Sequence, residues 1–194
     1  MIEPAAPPGH ADLAASPWVL RFARLVAPGS RVLDLACGRG RHARLFAARG
    51  CEVIAVDRDA QALASLKGVA GIDARCVDLE AGPWPFALER LDAIVVTNYL
   101  YRPLLTAILA TVSDEGVLIY ETFARGNETY GRPANPDHLL ERGELLAMAA
   151  GRLNVVAFEQ GVLVEAGRTA VVQRLAGVGF NRHAIVTLAP EMGR

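Results

Sequence analysis

The 194-residue sequence predicts an α/β protein built on one mostly parallel sheet with helices on both faces. Three observations carry that reading. Five short apolar runs alternate with amphipathic stretches, the pattern of successive β-α-β units joined by right-handed crossovers. The first of these runs stops in a glycine-rich turn, Gly38-Arg-Gly40, and leads straight into a helical pattern. The last two apolar runs are separated only by Glu165-Ala-Gly-Arg168, which is hairpin spacing.

The elements follow in order. Residues 1–15 are rich in Pro and Ala and read as a loose N-terminal arm. Ser16-Pro17 is a helix start, a hydroxyl cap followed by Pro at the first helical position, and the helix runs to about Ala27 before Pro28-Gly29. Arg31–Leu35 is a buried strand, and Arg41–Arg49 a helix with Ala43, Phe46 and Ala47 on one side and Gly50 as its stop. Glu52–Val56 is the second strand, Asp59 to about Lys67 the next helix, and Asp73–Val77 a third strand of weaker pattern. After a loop over 79–90 come the strand Leu91–Val96, the helix Pro103–Val112 and the strand Gly116–Phe123. A loop over 124–136 precedes a helix that Asp137 can cap, running to about Ala150. The runs Leu153–Val164 and Thr169–Leu175 form the hairpin, and His183–Leu188 could add one more strand.

Composition narrows the chemistry. Of 20 cationic residues, 19 are Arg and Lys67 is the single Lys. A phosphate-binding P-loop needs Lys followed by Ser or Thr, but Gly68 follows Lys67. A Tyr-x-x-x-Lys site is excluded because Leu63 holds the Tyr position. The arginines are interspersed with acids and the formal charge is −1, so no basic face for nucleic acid is visible. No apolar run nears the ~18 residues of a membrane span. Cys37, Cys51 and Cys76 form no C-x-x-C pair, and Met1–Gly9 lacks the basic-then-apolar order of a secretory signal, so the sequence reads as cytoplasmic. His10, His138 and His183 have no metal-ligand spacing, and no metal is expected.

In such a sheet a ligand sits at the carboxyl ends of the strands, where the strand order reverses. The first strand ends in Asp34-Leu-Ala-Cys-Gly-Arg-Gly40, where Gly38 and Gly40 permit close backbone approach. The second ends in Val56-Asp57, a carboxylate able to accept both hydroxyls of a ribose, and the third in Val77-Asp78, placed to accept from an adenine amino group. Polar groups at three strand ends in one row suggest a ligand containing adenosine. Gly38-Arg-Gly40-Arg-His-Ala43 with Asp57 also permits a nicotinamide dinucleotide. Asp34 decides against it: pyrophosphate at this turn would meet a carboxylate, whereas an amino-acid ammonium would be welcomed by one.

The whole arrangement resembles the class I S-adenosylmethionine-dependent methyltransferases. The likeness rests on V-L-D-L-A-C-G-R-G from Val32 to Gly40, V-D at 56–57, V-D-L at 77–79, L-D-A-I-V at 91–95 and the closing hairpin, and covers residues 16–176. Asn98-Tyr-Leu-Tyr-Arg-Pro-Leu104, Tyr120-Glu-Thr-Phe123 and Gly131-Arg-Pro133 are similar, more loosely, to the bacterial tellurite-resistance-like subgroup. The resemblance implies a Rossmann-like seven-stranded sheet in one domain over 16–176, with 177–194 as a tail. It also implies S-adenosylmethionine as cofactor. The turn Asp34–Gly40, including Ala36, Cys37, Gly38 and Gly40, would hold the methionine portion, with Asp34 near the ammonium. Asp57 would take the ribose hydroxyls and Arg58 the adenine edge; Asp78 and the Leu79 backbone would bind adenine, and Asn98 would line the pocket beside the sulfonium. Ala36 stands where the family's first motif glycine is usual.

No catalytic base is assigned, because the sulfonium leaving group is already activated. Tyr99, Arg102, Arg125, Tyr130 and Arg132 are candidates for substrate binding, and Tyr99, Tyr101, Tyr130 and Trp18 are aromatics expected near the mouth. Positions 97–100 read Thr-Asn-Tyr-Leu, not the D/N-P-P-Y of nucleobase amino methylation, which favours a small-molecule acceptor over nucleic acid. A non-catalytic adenosylmethionine-binding protein and a nicotinamide oxidoreductase stand as alternatives.

Overall fold

The computed structural model describes residues 14–165 and 167–182. Its chain runs α1 (Pro17–Phe22), β1 (Arg31–Leu35), α2 (Arg41–Ala48), β2 (Glu52–Asp57), α3 (Ala60–Leu63), β3 (Ile72–Cys76) and β4 (Leu91–Thr97). Then follow α4 (Leu105–Thr111), β5 (Val112–Phe123), α5 (Glu144–Ala149), β6 (Leu153–Glu165) and β7 (Arg168–Gly179). The seven strands lie in the order β3-β2-β1-β4-β5-β7-β6. The first five are parallel, and β7 runs antiparallel between β5 and β6. This is the predicted architecture.

Two apolar layers sandwich the sheet. On one face Val32, Val53, Ala55, Val95 and Ile119 pack under Trp18 and Phe22 of α1 and Phe46 of α2. On the other Leu33, Leu35, Ile54, Ile94 and Leu118 meet Ile108 of α4 and Leu145 of α5. Consecutive strand residues divide between the two layers, as the period-two geometry of a strand requires, and both sets are buried because helices cover both faces.

The strand order reverses at β1, whose neighbours are β2 and β4. Register sets the ends side by side: Leu35 pairs with Val56 and with Val96, Cys76 with Asp57, and Thr97 with Glu121. Residues just past these positions therefore share one edge, which is where such sheets take ligands.

Some boundaries differ from those predicted. The α-helical part of α1 ends at Phe22 and the last turn is a 3₁₀ turn over Ala23–Leu25. The helix predicted from Asp137 to Ala150 is broken. Asn135, not Asp137, caps a single 3₁₀ turn over Pro136–His138. Leu139 and Leu140 are then pulled into the core in extended form, Leu140 bridging to Ala124, and α5 starts afresh after Gly143 at φ +71. Strand β5 begins at Val112, not Gly116, and β7 continues to Gly179, past the predicted domain boundary at 176. The arm over 1–13 and the strand expected over 183–188 lie outside the described residues.

Candidate functional site

The turn after β1 is built around two carboxylates. Asp34 is buried at 1% exposure; its Oδ2 accepts the Ala43 N–H at 2.8 Å, tying β1 to the start of α2. Its Oδ1 is shielded from solvent and has no hydrogen-bond partner. Burial dominates its ionisation and pushes its pKa from 3.8 up to about 7; the Ala43 N–H and the Arg41 guanidinium pull it back, and Asp57 adds a smaller push. Asp57 accepts the Gly38 N–H at 2.7 Å and the Asp59 N–H at 2.9 Å, so it fixes the turn from the neighbouring strand.

The turn's backbone is left-handed at Ala36 (φ +53), Gly38 (φ +55) and Gly40 (φ +75). A side chain at Gly40 would place Cβ 2.6 Å from both Leu66 methyl carbons, so the buried Leu66 would have to shift and packing favours glycine there as φ does. Ala36 holds its left-handed conformation at a cost of about 1–2 kcal/mol relative to glycine. Strain of this kind gathers at functional sites. Asn98, at the end of β4, has φ +56 as well.

Beyond the turn lies a cavity of about 410 Å³. Ala36, Asp57, Arg58, Asp78, Leu79 and Asn98, six of the residues expected to hold cofactor, line it together. Asp34, Cys37, Gly38 and Gly40 lie behind them in the turn. Residues Ala14–Ser16 run past the start of α2: Arg41 donates to the Ala14 carbonyl at 3.3 Å, and the Ser16 N–H donates to His42 Nε2 at 3.1 Å.

A polar chain extends from there across the strand ends. His42 is buried, and burial drops its pKa to about 3, with the Arg41 charge adding to the effect, so the ring is neutral. With Nε2 accepting from Ser16, the proton is assigned to Nδ1, which faces Thr97 Oγ1 at 3.4 Å. The Ser16 hydroxyl donates to Glu121 at 2.9 Å, and Glu121 meets Arg174 at 3.3 Å. Arg174 also pairs with Glu159 at 2.6 Å. Burial pushes the Cys37 thiol far up, followed by the charges of Asp34 and Asp57, so Cys37 is no thiolate nucleophile.

Residues 32–114 match the family model described as "Methyltransferase domain". That segment is thus similar to a methyltransferase domain. Solved structures share its class I methyltransferase fold, at low identity. TehB from Haemophilus influenzae aligns at TM-score 0.67 and 19% identity, over 83% of this chain and 61% of that one, so this chain spans about three fifths of that relative. A TehB-like S-adenosylmethionine-dependent methyltransferase from Corynebacterium glutamicum aligns at TM-score 0.58 and 16% identity, over 84% of this chain and 86% of that one. The 1,6-didemethyltoxoflavin-N1-methyltransferase of Burkholderia thailandensis, solved with 1,6-didemethyltoxoflavin and S-adenosylhomocysteine bound, aligns at TM-score 0.60 and 16% identity, over 84% and 76%. Among curated proteins none matches the chain.

S-adenosylmethionine is the cofactor of this domain class, and the residues present suit it. An unpartnered, buried carboxylate oxygen on Asp34 calls for a cationic donor such as an amino-acid ammonium. Asp57 retains lone pairs beyond its two backbone bonds for hydroxyl donors. Asp78, at the end of the β3 segment, orders the following loop by accepting the Glu80 N–H at 3.0 Å.

On the acceptor side the structure departs from what the sequence suggests. Tyr99 lines the cavity; Arg102, Arg125, Tyr130 and Arg132 do not. Arg102 grips Glu144 through two bonds at 2.8 and 2.9 Å and donates to the carbonyls of Asp137 and Leu139. It therefore ties α4's entry to the 137–144 segment. Arg125 pairs with Glu141 at 2.7 Å, and Tyr130 is half exposed. Trp18, expected near the mouth, is in the core at 2% exposure. The cavity is completed instead by Thr122, Phe123, Pro133 and His138, to which the sequence reading gave no site role. Their sequence signals were the motifs Tyr120-Glu-Thr-Phe123 and Gly131-Arg-Pro133 and their position at or after the end of β5, where such sheets face a ligand.

Arg102→Ala is expected to cost about 1–2 kcal/mol, an estimate held down by the partial exposure of the pair. Amide hydrogen exchange should rise at 137–144 while adenosylmethionine affinity stays within about twofold. A large affinity loss with no change in exchange would place Arg102 in the binding site instead.

Proposed function

We propose that this protein transfers a methyl group from S-adenosylmethionine to a small-molecule acceptor held in the 410 Å³ cavity. The observation that carries the reading is the buried, half-unpartnered Asp34 behind a row of strand-end carboxylates. It supports a ligand with an ammonium and argues against pyrophosphate in this turn. When bound, the cofactor supplies a sulfonium-activated methyl that an acceptor lone pair takes, the carbon–sulfur electron pair staying on sulfur. The chain's own task is then to bind, orient and exclude water. Asp34 would hold the ammonium, Asp57 the ribose hydroxyls, Arg58, Asp78 and Leu79 the adenine, and Ala36–Gly40 the backbone cradle. Asn98 and Tyr99, past β4, would border the reacting centre, with Thr122, Phe123, Pro133 and His138 on its far side.

A small acceptor is supported by the limited size of the cavity and by a relative of the same fold solved with the small molecule 1,6-didemethyltoxoflavin bound. Several arginines are consumed in local ion pairs, which speaks against a nucleic-acid surface. The three free thiols fit a reducing, cytoplasmic setting.

The test has two parts. Adenosylmethionine and adenosylhomocysteine should raise the melting temperature, and Asp57→Ala should weaken both by about tenfold or more, since two hydroxyls lose their acceptor. Stabilisation by NADH alone would overturn the cofactor reading. Turnover is then measured with methyl-labelled adenosylmethionine and small acceptors; binding with no transfer to any of them would leave a binding protein.

A further inference from the structure

Resting on that methyl-transfer reading, we propose that the acceptor is an uncharged or cationic small molecule, not an oxyanion, and that the Tyr99 hydroxyl orients it. Charge on the lining argues first. Asp57, Asp78 and Glu80 face the cavity against the single guanidinium of Arg58, three carboxylates to one fixed cation and a balance of −2. Adenosylmethionine carries a net charge of +1, which leaves the loaded site at about −1. An anion entering this site meets repulsion from these carboxylates, strongest at the half-buried Asp57 and screened at the exposed Asp78 and Glu80.

Oxyanion recognition also needs free forked donors, and the neighbouring guanidiniums are spent. Arg102 is committed to Glu144 and two carbonyls, Arg125 to Glu141, and neither they nor Arg132 line the cavity.

Tyr99 supplies the positive part of the inference. It lies on the cavity wall between the cofactor residues after β2 and β3 and the acceptor side after β5. Its hydroxyl is hidden from solvent and faces the Glu80 carboxylate without a bond of good geometry in place. Burial, and then the nearby Glu80 carboxylate, push the phenol above its ordinary range, so it keeps its proton. A buried O–H without a partner is costly to leave unmade. A ligand atom bearing a lone pair, such as a ring nitrogen, carbonyl or neutral thiol, would satisfy it. Phe123 and Pro133 supply apolar surface to the same cavity.

The experiment uses the full chain. With adenosylhomocysteine bound, calorimetric titration with sodium selenite and with sodium tellurite should show no binding at millimolar concentrations; micromolar binding of either overturns the proposal. Methyl-labelled adenosylmethionine is next incubated with a protein-free cell extract, and the products are treated with base and separated by anion exchange at pH 7. Once the unreacted adenosylmethionine and its breakdown products seen in an enzyme-free control are subtracted, new labelled product is expected in the unretained, neutral or cationic fraction. Label retained as an anion, or released as methanol from base-labile esters, overturns it. With the purified acceptor, Tyr99→Phe should lower kcat/KM about tenfold, mainly through KM, with cofactor Kd unchanged. An unchanged KM removes Tyr99 from this role and overturns the orienting half. No labelled product despite intact cofactor binding defeats the transfer reading itself, and this proposal with it.

Discussion

Asp34→Asn is expected to stabilise the ligand-free protein at pH 8 by about 1–3 kcal/mol and to weaken adenosylmethionine by at least about tenfold. The first effect follows from linkage. Burial pushes the Asp34 pKa from 3.8 to about 7, so between about pH 4 and 7 the native state holds a proton that the unfolded chain has released. Stability must then fall as pH rises through that window, by about 4 kcal/mol in the limit set by the shift. The asparagine variant has nothing to ionise and loses this slope, while its amide oxygen can still accept the Ala43 N–H that Asp34 accepts at 2.8 Å. The new NH₂ group inherits the unpartnered position of Oδ1 and costs about 1–3 kcal/mol, which trims the gain. Each kcal/mol corresponds to about 2–4 °C in a chain of this size. Melts at pH 5 and pH 8 check it: the difference between variant and parent should grow with pH, and a flat difference would show that Asp34 is not a strained acid. Calorimetry checks the second effect. Cofactor affinity retained in the variant would remove Asp34 from the ammonium contact.

The carboxylate was legible in the sequence for a local reason. An acid closing an apolar strand, followed by a glycine turn, breaks local pattern rules for a reason, and Asp57 and Asp78 do the same on the next two strands. The strand order and the hairpin were equally readable, because alternation and spacing are local signals. What failed depended on distant partners. Arg102 and Arg125 carry charge that could meet a substrate, and only folding shows that Glu144 and Glu141 claim them. Asp137 is a competent helix cap, but Asn135 caps first, and the burial of Leu139 and Leu140 outweighs helix propensity across the next residues. The same fold-back brings Pro133 and His138 to the cavity, held in part by Asn127, whose side chain bonds the Pro133 carbonyl at 3.0 Å and the Val171 N–H at 3.1 Å. His42 lies on the first turn of α2, and nothing local in the sequence names its partners. It is in fact a buried neutral link between Ser16 and Thr97, a role set by contacts 26 and 55 residues away.

Trp18→Ala is expected to be the most destabilising single change considered for this chain, at about 3–5 kcal/mol, a large part of the 5–15 kcal/mol that holds an ordinary domain together. Trp18 is 2% exposed, meets Phe22 edge-on at 4.6 Å and lies under the Arg174 guanidinium at 4.9 Å. Its indole N–H donates to the Leu175 carbonyl at 3.4 Å, a long bond that anchors α1 to β7. Alanine removes all of these and leaves a cavity that the surrounding β-sheet cannot collapse to fill. The loss also reaches the candidate site. Arg174 holds Glu121, Glu121 accepts the Ser16 hydroxyl, and Ser16 reaches His42, so freeing α1 loosens the segment that runs past the start of α2. Urea denaturation should show the full loss, and amide exchange should rise at Ser16–Phe22. Trp18→Phe separates the contributions: it keeps most of the apolar volume, gives up the N–H bond, and should cost about 1–2 kcal/mol. A loss below about 1 kcal/mol for Trp18→Ala would mean that α1 packs on the sheet without supporting it. The route from Trp18 to His42 would then have no energetic basis.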